Sequence, residues 1–221
     1  MSYYIQIGAG AGDQDESANY KDGFTNFVKN KVNNKDDKIL IVEANPLNLD
    51  KLKTCWKDFS NVKIYNLAIV DSNFKNNSIK LFYTEDDKPC YQVTSIYLEH
   101  VKKHYPKSII LEKNIESKKI NDFLSEEVND QKIEYLAIDA EGIDFHLIMD
   151  LNLKKYDIEN ISIESIHLEK VQKKTLVSKL LENGYSYSGK GFDVHGSDLM
   201  FRKKMNIYSR LRTKNFLRKL K

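Results

Sequence analysis

A run of glycines, three strand-end acids and two histidines carry the chemistry open to this chain. Gly8, Gly10 and Gly12 stand at alternate positions directly after the strand-like segment Tyr3-Tyr4-Ile5-Gln6-Ile7. Without β-carbons the chain can turn sharply there and offer bare N–H groups to a ligand. Asp13 follows with a carboxylate. Glu43, Asp139 and Glu164 each close an apolar run: Ile39-Leu40-Ile41-Val42, Leu136-Ala137-Ile138 and Ile161-Ser162-Ile163. If those runs are parallel strands, the three acids share one sheet edge with the glycine turn, where α/β domains bind ligands.

A carboxylate at the end of the second strand suits a ribose, because it accepts from both hydroxyls. NAD is the first candidate, but two details oppose it. The pattern is GxGxG, with Asp13 and Gln14 where the helix-packing glycine of GxGxxG belongs. Glu43 also lies 31 residues beyond Gly12, against roughly 20 in the dinucleotide fingerprint. An acid beside the turn repels a pyrophosphate yet can hold an ammonium. S-adenosylmethionine has no phosphate and ends in an ammonium.

Methyl transfer to an alcohol needs the hydroxyl aligned and its proton removed. His167, after the fifth strand, is the first candidate base. His195, in the final hairpin loop, is the second, and Glu141, after the fourth strand, the third. His146 falls inside a helical segment and reads as structural; His100 and His104 lie on a polar stretch and read as solvated. Asp139 and Glu164, with His167, could instead present ligands to Mg²⁺, which lowers an alcohol's pKa. The same acids could equally orient cofactor and substrate without a metal.

Positioning these groups requires strands over 3–7, 38–43, 62–69, 133–139 and 158–164. Helices are expected over 23–32, 47–59, from 120, over 145–151 and over 170–183, the last stopped by Gly184. Segments 78–83, 92–97 and 108–115 form a small β insertion after the third strand. A hairpin of 185–189 and 199–201 ends the sheet and makes its last strand antiparallel. The order predicts an α/β fold with an open, Rossmann-like, mostly parallel sheet and helices on both faces.

The 221 residues, 41% hydrophobic and 30% charged, suit one globular domain rather than a disordered chain. Cys55 and Cys90 have no CxxC spacing, so no disulfide framework or zinc site can be built from them. With no signal-peptide pattern and no apolar run of membrane-spanning length, a cytoplasmic location is expected. Arg202 to Lys221 holds nine basic residues and no acid, leaving 26 basic against 32 acidic residues before it, a net of −6. The chain therefore divides into a mildly acidic body, 1–201, and a basic, helical tail, 202–221. An acidic body argues against a nucleic-acid substrate, and Asp139-Ala140-Glu141-Gly142 replaces the Pro-Pro-aromatic run on which an amino-methylating enzyme stacks a base. The tail could lie on an anionic membrane surface, contact an anionic partner or dock on a second subunit in a homodimer; the blander reading is a solvated terminal helix.

Four blocks together resemble the FkbM-type methyltransferases: Tyr4-Ile5-Gln6-Ile7-Gly8-Ala9-Gly10-Ala11-Gly12-Asp13, Val42-Glu43-Ala44-Asn45-Pro46, Asn66-Leu67-Ala68-Ile69 and Ile138-Asp139-Ala140-Glu141-Gly142. That family is similar to class I S-adenosylmethionine-dependent methyltransferases with a seven-stranded sheet, and its members commonly O-methylate sugars or sugar-bearing metabolites. The resemblance implies that Gly8, Ala9, Gly10 and Gly12 line the cofactor's amino-acid end. It gives the ribose to Glu43, beside Ala44, and the adenine side to Asn66 and Ala68. Asp139 falls near the methionine moiety and the reacting centre. Gln6 stands where the family usually has an acid, and Gly10 where it has Asn, so Asp13 is the residue expected to help hold the ammonium. The function expected is O-methylation of a sugar or nucleotide-sugar hydroxyl. An NAD-type oxidoreductase and a non-catalytic anion-binding module remain the alternatives.

Overall fold

Period-two alternation at the head of the chain builds the strand on which the fold is centred. The computed structural model describes residues 1–13, 22–32, 34–85, 94–192, 198–203 and 207–220. In β1 (Tyr3–Ile7) the side chains of Tyr3, Ile5 and Ile7 join the larger core on one sheet face, and Tyr4 packs on the other. β2 (Lys38–Glu43) alternates likewise, Leu40 and Val42 against Ile39 and Ile41. Burial on both faces is why these strands read as continuous apolar runs.

The main sheet also contains β3 (Val62–Asn66), β7 (Ile133–Ile138), β8 (Ile158–Glu164), β9 (Ser186–Lys190) and β10 (Asp198–Arg202). Its seven strands are ordered β3-β2-β1-β7-β8-β10-β9, and β10 runs antiparallel to both neighbours. The expected seven-stranded, mostly parallel sheet with an antiparallel last strand is the one observed. α1 (Gly23–Lys31) and α2 (Leu49–Trp56) cover one face through Phe24, Val28, Leu52 and Trp56. α4 (Ile120–Val128), α5 (Asp144–Asp150) and α6 (Lys170–Glu182) cover the other through Phe123, Leu147 and Leu176.

The third strand does not run through to Ile69 as expected. Asn66 Nδ2 bonds the carbonyls of Glu43 and Ala44 at 3.0 and 2.9 Å, and Leu67 N–H donates to Glu43 O. These bonds end β3, and the chain peels off as β4 (Ala68–Val70). β4 enters a second sheet with β5 (Ser78–Thr84) and β6 (Ile110–Lys119), in the order β4-β6-β5. This is the β insertion. The strand expected over 92–97 reduces to one bridge, Ser95 to Phe82, with residues 92 and 93 outside the described ones. A helix not foreseen follows, α3 (Leu98–His104), anchored by Val101 beside Tyr105, Phe82 and Ile110.

The tail is helical as expected, as α7 (Ile207–Lys219). It rides on β9: Phe216 stacks on Tyr187 at 4.3 Å, and buried Thr213 accepts from Tyr187 N–H through Oγ1 at 2.9 Å. No helix among the described residues is long and apolar enough to cross a membrane.

Candidate active site

Chain order reverses at β1: the first crossovers lead to β2 and β3, and the chain later returns to β7 on the other side. The crevice at the C-terminal ends of β1 and β7 is thus the switch point, where open α/β sheets bind ligands. Gly8 sits at its floor with φ +82°, and a β-carbon there would lie 1.6 Å from Asp139 O. Only glycine fits. Gly12 instead fits α2, since a β-carbon would lie 2.8 Å from Cys55 Sγ, and Ala9 is buried in the core beneath. Gly10, at φ +54°, has no described residue within 4 Å of where a β-carbon would stand. Among the described residues it is the turn position whose backbone faces open space.

Glu43, at the end of β2, reaches over to this turn. Its Oε2 accepts from Gly10 N–H at 2.7 Å, and its Oε1 accepts from Asn45 N–H at 2.7 Å and from Asn48 Nδ2 at 3.4 Å. Burial pushes its carboxyl up to about 7, against the pull of those N–H donors. Ala44 and Asn66 continue the same edge, while Ala68 is buried at the start of β4. Gln6 is buried, donates from Nε2 to Asp22 Oδ1 at 3.0 Å, and leaves Oε1 buried without a hydrogen-bond partner among the described residues. Asp22 was not singled out by the sequence. It caps α1 by accepting from Thr25 N–H at 2.6 Å, and the Asp-x-x-Thr start was the available signal. Asp13 is bound by Lys29 Nζ at 2.7 Å.

On the other side of Gly8 a second group of side chains gathers. Asp139, Asp144 and Glu164 have oxygens within 4.8 Å of one another. Burial first, then the Glu164 carboxylate, hold Asp139 well above the usual carboxylate range. Asp144 ties down the loop after β7, accepting from Ala140 N–H at 2.7 Å and Gly142 N–H at 3.1 Å; burial raises it to about 6. Between them Glu141 takes φ +48°, a left-handed conformation that costs a non-glycine residue of order 1 kcal/mol. Ser95 Oγ of the insertion donates to its carbonyl at 2.8 Å.

That turn aims Glu141 at three histidines. Its Oε2 lies 3.2 Å from His100 Nε2 and 3.8 Å from His167 Nε2, and Glu164 Oε2 lies 3.8 Å from the same His167 nitrogen. His104 completes the group, its ring 4.8 Å from that of His100 and 5.2 Å from that of His167. His167, Glu141, Glu164 and Asp139 are therefore brought together as their strand-end positions implied. His100 and His104, read as solvated, belong with them, although His104 remains exposed. Burial holds His104 and His167 below the ordinary histidine value, which favours neutral rings. His146 lies apart, 4.0 Å from Asp71, and His195 lies outside the described residues.

A family model described as the methyltransferase FkbM domain matches residues 6–187. No curated protein matches the chain in sequence. Among solved structures it is similar to ribosomal protein L11 methylase from Lactobacillus delbrueckii subsp. bulgaricus, at 10% identity and TM-score 0.44 over 92% of this chain and 70% of that one. It is also similar to Aeropyrum pernix fibrillarin with natively bound S-adenosyl-L-methionine, at 11% identity and TM-score 0.44 over 91% and 65%. A third is precorrin-6y C5,15-methyltransferase from Geobacter metallireducens, at 13% identity and TM-score 0.38 over 90% and 77%.

Proposed function

The chain belongs to the FkbM methyltransferase family, and from that premise we propose that it is an S-adenosylmethionine-dependent O-methyltransferase acting on a hydroxyl of a sugar or nucleotide-linked sugar. The observation that carries the reading is the meeting of Gly10 and Glu43 beside the switch point, where Gly10 N–H donates to Glu43 Oε2 at 2.7 Å. The residues fit the cofactor. Glu43 Oε2, which among the described residues accepts only from Gly10 N–H, keeps acceptor capacity for a ribose hydroxyl, Gln6 Oε1 offers an ammonium a buried acceptor, and Gly10 lacks a β-carbon that would hold the ligand away. Asp22, held against Gln6, supplies the negative charge that Gln6 lacks; Asp13, neutralised by Lys29, has the lesser part. Asn66 and Ala44 form the adenine side; Ala68, expected with Asn66, is packed against Leu81 and Ile115 of the β insertion. S-adenosylmethionine, when bound, supplies a methyl group on a sulfonium centre.

The acceptor belongs on the histidine side of Gly8. A neutral His167 can take the hydroxyl proton while Glu141 and Glu164 hold the ring that becomes charged. Asp139, in its protonated form, can donate a hydrogen bond to the acceptor oxygen. Mg²⁺ on Asp139 and Glu164 forms no part of this reading. Hydroxyl-rich acceptors suit an edge whose carboxyl groups, at Asp139, Glu141, Asp144 and Glu164, can each hydrogen-bond a sugar hydroxyl.

Calorimetry with S-adenosylhomocysteine tests the cofactor half: binding at one site per chain is expected, and no heat with no thermal shift would refute it. Transfer of labelled methyl to a panel of nucleotide sugars tests the acceptor half. Label appearing in protein or RNA, but in no sugar, would refute the proposed substrate class.

A further inference from the structure

We propose that His100, His104 and His167, with Glu141, form a binding site for one divalent transition-metal ion of the zinc type, on the acceptor side of the sheet edge.

Three segments remote in sequence converge to make it. His100 and His104 lie four residues apart on α3, so their rings sit on one face, one turn apart; the rings stack at 4.8 Å. His167 arrives from the turn after β8 and meets His100 edge-on at 4.8 Å. Ligand nitrogens of the three histidines fall within 4.8 Å of one another. Around a zinc ion with bonds of about 2.0–2.1 Å, tetrahedral ligand atoms stand about 3.4 Å apart. The rings thus need to close by little more than about 1 Å, within reach of side-chain torsions. A fourth ligand stands beside two of the three: Glu141 Oε2 lies 3.2 Å from His100 Nε2 and 3.8 Å from His167 Nε2.

The backbone spends strain on this arrangement. Glu141 adopts φ +48° and is fixed from both sides, by Asp144 on its neighbours' N–H groups and by Ser95 on its own carbonyl. Strain held by surrounding bonds clusters at functional sites. The donor set also selects the ion. Three imidazoles and a carboxylate suit zinc and its neighbours, whereas Mg²⁺ takes oxygen ligands and keeps its waters. The ion would staple α3, anchored mainly by Val101, to the main sheet. Four protein ligands close a tetrahedral zinc site, so the ion would be structural, and its binding would compete with the proton-accepting role of His167. Metal binding itself rests on neither the cofactor nor the acceptor assignment.

The test uses the full chain after chelator dialysis, with no cofactor or acceptor added. Calorimetric titration with ZnCl₂ should show one saturable site of micromolar affinity or tighter, a higher melting temperature, and no comparable heat with MgCl₂. His104→Ala and His167→Ala should each weaken Zn²⁺ binding more than about tenfold, and His146→Ala should not. CoCl₂ should give the visible absorption of low-symmetry nitrogen and oxygen coordination in the parent protein, a readout independent of any variant's folding. Absence of saturable Zn²⁺ binding, a featureless Co²⁺ spectrum, or binding that survives His104→Ala combined with His167→Ala would overturn the proposal.

Discussion

Two glycines of the turn after β1, Gly8 and Gly10, have opposite reasons to be glycine. A β-carbon on Gly8 would overlap the Asp139 carbonyl, while one on Gly10 would meet no described residue. Gly8→Ala should therefore destabilise the fold by about 3 kcal/mol or more, lowering the melting temperature by roughly 6–12 °C for a chain of this size. Gly10→Ala should cost only about 1 kcal/mol for its φ of +54°, yet weaken S-adenosylhomocysteine roughly tenfold, a loss near 1.4 kcal/mol. Thermal melts beside calorimetry separate the two; equal stability losses would refute the distinction. Glu43 makes a pH prediction. Its folded pKa of about 7 lies above the ordinary 4.5, so the folded cofactor-free protein holds this proton more tightly than the unfolded chain. That contribution is full below about pH 4.5 and is lost as pH rises to 7, costing about 3 kcal/mol. Ligand binding has the opposite sign, because ribose hydroxyls need the ionised acceptor. S-adenosylhomocysteine affinity should fall roughly tenfold from pH 8 to pH 6, following the ionised fraction. A flat profile from calorimetry would mean that Glu43 does not titrate there or does not meet the ribose.

At the scale of elements, what was legible followed from local pattern. Ile39 to Val42 and Leu136 to Ile138 are apolar runs that end in acids, and parallel pairing with β1 and β7 then puts Glu43, Asp139 and Glu164 on one edge. Gly184, at φ +87°, closes the helix it was expected to stop. The illegible part was the insertion. Asn66 ends β3 with side-chain bonds to β2's exit, a tertiary cause that no periodicity in 62–69 records. The α3 helix has one fully buried side chain, Val101, so it lacks the apolar stripe by which a helix is recognised. Its His-x-x-x-His spacing was visible but had no helix to give it meaning. The tail was legible as a helix but not as a neighbour of β9. Phe216→Ala should remove the stack on Tyr187 and cost about 1–2 kcal/mol, read as a melting temperature lower by roughly 2–8 °C. No change would show α7 to be detached from the edge strand.

Across the whole molecule, charge is segregated by position in the fold as well as in sequence. The crevice edge is acidic, and the excess of base lies in the last twenty residues, carried by α7 and its flanks. α7 turns Thr213, Phe216 and Leu217 toward the body, and among its described side chains Tyr208 and Leu211 are the large exposed apolar ones. Among the described residues of the tail, basic side chains outnumber these two, so the contact expected through the tail is electrostatic. Arg212, Lys214, Arg218 and Lys219 all face solvent, and charges so exposed are screened over about 10 Å at 0.1 M salt. The chain should therefore bind anionic vesicles or heparin at low salt, release them near 0.2 M, and ignore neutral vesicles. Replacing Arg212, Lys214 and Arg218 with Glu should abolish that binding and leave S-adenosylhomocysteine affinity unchanged, since none of them reaches the crevice. Co-sedimentation across a salt series measures the first effect and calorimetry the second. Retention on neutral vesicles, or a cofactor affinity that shifts with the tail's charge, would mean that α7 does more than carry charge away from an acidic active site.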